Sequence, residues 1–181
     1  AGFTINYSST TTGNGIAVSG RNNVTIENCN VTQTNLSISN ADAIDFSGTN
    51  NSQLTNNTVT SNSSRGIFIE ASSNSNTLAN NTVTINIGIS IGLDLSLNNT
   101  LTNNTATSNS GNSISLVSSS NNSLINNTGT SNSSEGIYLS SSSNNVLTNN
   151  MGISNVDSGI ILTADSNNNT LTNNRGISDS G

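Results

Sequence analysis

Any chemistry in this chain must come from very few residues. Its 181 residues carry nine Asp and Glu, three basic residues (Arg21, Arg65 and Arg175), no His and no Lys. Asp45, Glu70 and Asp94 recur near a common phase of the sequence, together with Arg65 and the aromatics Phe68 and Tyr138. Carboxylates and rings along one face suit sugar binding, the rings stacking on pyranose faces and the carboxylates accepting from hydroxyls. Asp42 falls beside Arg65 and predicts one surface ion pair, which is worth little by itself. As a catalytic pair, Asp45 and Asp94 are expected two coils of chain apart, about 9.6 Å at the strand spacing, near the wide limit for inverting carboxylates. No tuned acid accompanies them. The residues therefore predict a candidate ligand strip on a solvated face, with no catalytic residue and no enzyme activity.

What must position such a strip is a repeat. Leu-Thr-Asn-Asn stands at Leu54 to Asn57, Leu101 to Asn104, Leu147 to Asn150 and Leu171 to Asn174, with variants from Leu78, Leu124 and Ile26. The leading aliphatics are 28, 24, 23, 23, 23 and 24 residues apart. A steady period means one structural unit copied along an axis. In phase with it, Gly-aliphatic-x-aliphatic begins at Gly15, Gly66, Gly136 and Gly159, with variants at Ala43-Ile44-Asp45-Phe46 and Ser113-Ile114-Ser115-Leu116. Each repeat thus carries at least two short strands whose alternate side chains point inward.

Composition excludes other classes. Only 30% of residues are hydrophobic and 7% charged, with no Pro and no Trp, too few apolar residues for a two-layer core. A disordered Asn/Ser/Thr tract would not return aliphatics every 23 residues. Helical repeats need broader apolar stripes and more Ala, Glu and Lys. The pattern predicts an all-β parallel β-solenoid of about seven coils of 23–24 residues, one domain over 1–181, with strands about 4.8 Å apart.

Stacking gives the asparagines a structural role. One column is Asn57, Asn81, Asn104, Asn127, Asn150 and Asn174; a second is Asn28, Asn56, Asn80, Asn103, Asn126, Asn149 and Asn173. An inward amide can donate to the identical amide of the next coil, satisfying a buried polar group by repetition. Both columns are expected inside, and Cys29, in phase with the first, is expected to be a buried thiol. Thr58-x-Thr60, Thr82-x-Thr84, Thr105-x-Thr107 and Thr128-x-Thr130 predict two outward threonine files.

Coils reading G-I-x-L, a polar S-S-x-N turn and then L-x-N-N resemble right-handed parallel β-helix repeats of the NosD-type and pectate-lyase-like superfamily, over nearly the whole chain. The resemblance implies the fold; that fold serves lyases, hydrolases, epimerases, adhesins, surface proteins and copper-site maturation factors. Pectate-lyase-like chemistry implies a Ca²⁺ cluster, for which Asp45, Glu70 and Asp94 with Arg65 are the nearest approximation. Copper-site work is not expected, since His is absent and Cys29 and Met151 are lone soft ligands. No metal or cofactor is predicted. Regular Thr-x-Thr files resemble the ice-binding surface of some antifreeze proteins.

Two corner insertions are expected, near 33–40 and, because Asn81 to the marker glycine read at Gly92 spans 11 residues where regular coils have 9, near 85–90; both leave the same corner, where the resemblance implies loops that wall a groove. Fourteen N-x-S/T sequons occur; Asn6, Asn23, Asn30, Asn35, Asn62 and Asn132 are candidate glycosylation sites. A net charge of −6 argues against nucleic acid and anionic membrane as partners, and no stretch has membrane-spanning length. Exposed rungs at both ends predict either a segment of a longer solenoid or end-to-end self-association of copies. The combined expectation is an extracellular or cell-surface structural module forming a rod, filament or sheath. The alternatives are a polysaccharide-binding or polysaccharide-active β-helix, with glycans as partners, and an ice-binding face.

Overall fold

In a computed structural model, which describes residues 3–7, 13–33 and 41–179, each coil contributes one strand to each of three parallel sheets. The leucine sheet holds seven three-residue strands, among them Gln53–Thr55, Thr77–Ala79 and Thr100–Thr102. The threonine sheet follows with eight strands, including Thr58–Ser61, Thr82–Ile87, Thr105–Ser110 and Thr128–Ser131. The isoleucine sheet closes the coil with seven, including Ile44–Ser47, Ile67–Glu70, Ile91–Asp94 and Ile137–Ser140. The parallel solenoid of about seven coils expected from the period, with the right hand implied by the resemblance, is the observed fold.

The core is an axial column because each strand offers only one or two inward side chains. Ile26, Leu54, Leu78, Leu101, Leu124 and Leu147 stack in register along the leucine sheet and are buried. Ile44, Ile67, Ile91, Ile114 and Ile137 do the same opposite them. In the threonine sheet the inward column shrinks from Val59 and Val83 through Ala106 to Gly129 and Gly152. Side chains on those two glycines would overlap the carbonyls of Gly136 and Gly159, so the two sheets pinch together there.

The Leu-x-Asn-Asn corner turns on two adjacent residues with opposite duties. Asn56, Asn80, Asn103, Asn126, Asn149 and Asn173 take left-handed φ near 55° and face solvent, a conformation Asn tolerates better than other side-chain-bearing residues. The next residue turns inward. Asn57, Asn81, Asn104, Asn127 and Asn150 are about 1% exposed. The expectation that both columns lie inside is thus corrected: Asn28 and its stack form an outer corner, because one αL residue reverses the alternation. In the inner column Asn81 Nδ2 donates to Asn104 Oδ1 at 3.0 Å and to the Leu54 carbonyl at 2.9 Å. The Asn104 Oδ1 also accepts from the Asn81 backbone N–H at 3.0 Å. Cys29 occupies the head of this column, donating its backbone N–H to Asn57 Oδ1; its thiol is part-exposed rather than buried.

The same device closes the other end of the leucine strand. Asn51, Asn98, Asn121, Asn144 and Asn168 are left-handed, and Ser52, Asn99, Asn122, Asn145 and Asn169 turn inward after them. Backbone N–H groups again donate to the next amide, Asn76 to Asn99 at 2.8 Å and Asn99 to Asn122 at 2.7 Å.

The expected insertion near 85–90 is absent. The Gly66 register position is filled by Ser90, since Ile67 pairs with Ile91, so this coil keeps regular length and its first part extends the strand Thr82–Ile87. Gly92 pairs with Phe68 and is not the counterpart of Gly66, so counting to it gives an apparent excess. Of the other expected insertion, Gln33 is a buried strand residue and 34–40 lie outside the described residues.

Asn104→Ala is predicted to orphan the Asn81 backbone N–H and one Asn81 amide N–H, and to remove one of the donors to the Leu78 carbonyl. At about 1–3 kcal/mol per buried unsatisfied group, a loss of several kcal/mol should appear in urea unfolding. Asn103→Gly, at the outer corner, should stay within about 1 kcal/mol of the parent protein.

Candidate functional site

The charged residues of the isoleucine sheet lie on its second to fourth strands, Ile44–Ser47, Ile67–Glu70 and Ile91–Asp94. Inward positions one and three of each strand leave two and four facing out. Position two reads Ala17, Asp45, Phe68, Gly92, Ser115, Tyr138 and Ile161; position four reads Ser19, Ser47, Glu70, Asp94, Val117, Ser140 and Thr163. Asp94 therefore follows Glu70 in the outer column, about 4.8 Å away, and does not share the Asp45 file. This corrects the supposed Asp45 and Asp94 pair. Tyr138 stands three rungs beyond Phe68, about 14 Å away at the strand spacing, and is not part of the cluster.

Arg65 organises what remains. Its Nε and Nη2 donate to Asp42 Oδ1 and Oδ2 at 2.9 and 2.8 Å, a bidentate pair, while Nη1 lies 3.8 Å from Glu70 Oε2. Asp42 also accepts from Ser64 Oγ at 3.0 Å and is only 3% exposed, so the predicted surface pair is instead a half-buried one. The guanidinium carbon sits 3.6 Å from the centre of the Phe68 ring, within cation–π range. Beneath the ring on the next coil is Gly92, where a Cβ would come 2.6 Å from the ring edge. Covered by Arg65 and seated on Gly92, Phe68 is 5% exposed and cannot serve as the open sugar platform expected of it.

Asp45 is the chemically unusual group. Its Oδ2 accepts from Asn14 Nδ2 at 3.0 Å, while Oδ1 is shielded from solvent without a hydrogen-bond partner. Burial, then the Glu70 and Asp42 carboxylates, pushes its carboxyl up to about 6, with Arg65 and Asn14 opposing. Such a group exchanges a proton close to neutral pH. Asn14 also accepts from the Asp42 backbone N–H at 2.9 Å and so ties the two acids together. Asn14 and Ser64 were not singled out from the sequence, although Asn14, Asp42 and Arg65 occupy one register column, the residue before each strand's leading Gly or Ala. Behind the strip, burial pushes the Tyr7 phenol up to about 12.

Asp45, Glu70 and Asp94 do not form a group that could hold a metal ion. The Thr-x-Thr residues stack in the two expected files. Of the candidate glycosylation sites, Asn6, Asn23, Asn30 and Asn132 are exposed, Asn62 is half-buried, and Asn35 lies outside the described residues.

Two measurements follow from this geometry. Arg65→Met should leave the Asp42 carboxylate buried and unpaired, lowering stability by roughly 3–5 kcal/mol in chemical denaturation. Because the folded carboxyl of Asp45 is raised, its ionisation weakens the fold as pH climbs from the ordinary carboxylate range through about 6. Asp45→Asn should raise the melting temperature above pH 6, and the gain should fade as pH falls towards 4.

Comparison with known proteins follows the fold rather than the strip. The family model for a right-handed beta helix region matches residues 2–150 and again 91–180. No curated protein matches the sequence. Among solved structures, the periplasmic alginate epimerase AlgG superimposes with a TM-score of 0.75 at 18% identity, over 90% of this chain and 42% of that one. One of its point mutants gives a TM-score of 0.68 at 16% identity, over 89% and 47%. The chain therefore spans less than half the length of these structures. The expectation of a non-enzyme is corrected here, since the fold it shares is that of a carbohydrate-modifying enzyme. By the family match over most of its length, the chain belongs to the right-handed beta helix region family.

Proposed function

We propose that the chain is a polysaccharide-active β-helix whose outward isoleucine-sheet face engages a uronate-containing polymer. The observation that carries this reading is the Asp45 carboxyl, raised to about 6 beside Glu70 and Arg65 on that face. The fold shared with the alginate epimerase structures supports it and makes uronate polymers the first class to assay. The reading is preferred to the expected structural rod because the likeness is to a carbohydrate-modifying enzyme. An extracytoplasmic location belongs to the same proposal, supported by the periplasmic description of that neighbour. Among the described residues, no helix is long and apolar enough to cross a membrane.

The chemistry is proton abstraction next to a carboxylate. Arg65 uses Nε and Nη2 on Asp42, which holds the guanidinium in place, and Nη1 is left to donate to the sugar carboxylate. Ionised Asp45 takes the proton from the carbon bearing that carboxylate, and the electron pair left behind delocalises into it. Return of the proton from Asp45 regenerates the sugar unit, and delivery of a proton from water to the opposite face gives its epimer, after which Asp45 loses its proton to solvent. A net charge of −6 repels a polyanion at long range, and salt screens that repulsion beyond about 8 Å at physiological ionic strength. Association is therefore predicted to quicken as salt rises, opposite to a basic polyanion binder.

Incubation with alginate and other uronate polymers in deuterated water should introduce deuterium at the carbon next to the carboxylate. Asp45→Asn should cut that exchange by at least about 100-fold, and the parent activity should rise through about pH 6. Undiminished exchange in Asp45→Asn would overturn the assignment.

A further inference from the structure

A second, uncharged feature lies across the corner 62–66 from the strip. The strands Thr82–Ile87 and Thr105–Ser110 run two residues beyond their neighbours Thr58–Ser61 and Thr128–Ser131. Gly88 and Gly111 then turn the chain with φ of 123° and 134°, and a side chain on Gly88 would overlap the Ser64 carbonyl. This change of strand length leaves a cleft of about 180 Å³ at the edge of the threonine sheet. Its rim presents the hydroxyls of Thr60, Thr84 and Thr107 and the carboxamides of Asn86, Asn109 and Asn132. Buried Ile85 contributes to its lining, and no charged residue does.

The carboxamides form an exposed ladder. Asn109 Nδ2 donates to Asn86 Oδ1 at 3.1 Å, and Asn132 Nδ2 donates to Asn109 Oδ1 at 2.7 Å. An amide has two N–H donors and two acceptor sites. Asn109, which gives one bond and takes one within the ladder, keeps a donor and an acceptor for a ligand. The ladder also locks the side chains, so little rotamer freedom is lost on binding. The pattern repeats at the rung spacing of about 4.8 Å, comparable to the advance of an extended pyranose chain by one ring.

We propose that this cleft binds an uncharged, hydroxyl-rich oligosaccharide lying along the solenoid axis. Hydroxyl groups both donate and accept, matching threonine hydroxyls and half-used carboxamides, while sugar C–H groups meet the threonine methyls and Ile85. The absence of lining charge gives no means of holding a uronate, so the cleft and the Asp45 strip would select different sugars. The proposal shares no residue with the strip and stands apart from the function assigned to it.

The test is a titration of the ¹⁵N-labelled protein with cellohexaose and with mannohexaose, followed by amide shifts and calorimetry. At least one is expected to shift residues around Thr84, Asn86 and Asn109, with an affinity unchanged between low and high salt. The double variant T84V/T107V, which removes two hydroxyls at nearly constant volume, should weaken binding about tenfold or more. Thr58→Val, in the same sheet outside the cleft, and Asp45→Asn should leave it unchanged. Absence of shifts with both sugars, undiminished binding in the double variant, or shifts centred on Asp45 instead would each overturn the proposal.

Discussion

A buried carboxamide left without partners is costly, and the Asn57 column of this solenoid fills all four hydrogen-bonding sites of each interior amide by copying the group. Each interior amide of the Asn57 column donates to its successor and to the carbonyl of the preceding strand. Its oxygen accepts a backbone N–H and an amide N–H from the coil before, as Asn104 does from Asn81. The bonds close only when every coil has the same residue in the same register. The repeat length, the parallel sheets and the alignment of every outward column are fixed by that condition. It also explains how a chain only 30% hydrophobic encloses a core: two amide corners, with the buried serines Ser73, Ser96, Ser119 and Ser142, replace much of the apolar interior that a globular domain needs.

The period, the inward leucines and at least two strands per coil were legible because each leaves a recurrent letter at a fixed phase. Which asparagine of each pair faces inward was not. A single left-handed residue between Leu54 and Asn57 inverts the alternation, and adjacent identical letters do not reveal which of them bends. The second amide corner was hidden in plain text: Asn98-Asn99, Asn121-Asn122 and Asn144-Asn145 repeat the same pair ahead of the leucine strand. In the site, taking Gly92 as the partner of Gly66 moved Asp94 one column over and produced an insertion that does not exist. The inward pair Ile91 and Leu93 carries the true register, because packing rather than a glycine sets it.

The outward faces differ because nothing in the ladder constrains them. On the isoleucine sheet, Asn14, Asp42, Asp45, Arg65 and Glu70 converge from three successive coils, and the burial of Phe68 depends on a small residue below and a guanidinium above. Neither cover nor seat can be inferred from the ring's own position in the sequence. On the threonine sheet, the same rung spacing carries only hydroxyls and amides. One scaffold therefore offers a face able to move a proton and a face able only to hydrogen-bond.

The central claim is that the charged face meets a uronate polymer, and the most direct measurement is a map of where such a sugar touches the protein. Amide shifts should be recorded while short, defined uronate oligosaccharides are added. Changes concentrated at Asp45, Arg65, Phe68 and Glu70, falling away beyond Ser115 along the same file, are the predicted result. Changes spread evenly over the solenoid, or none on that face with any uronate oligomer, would contradict the account.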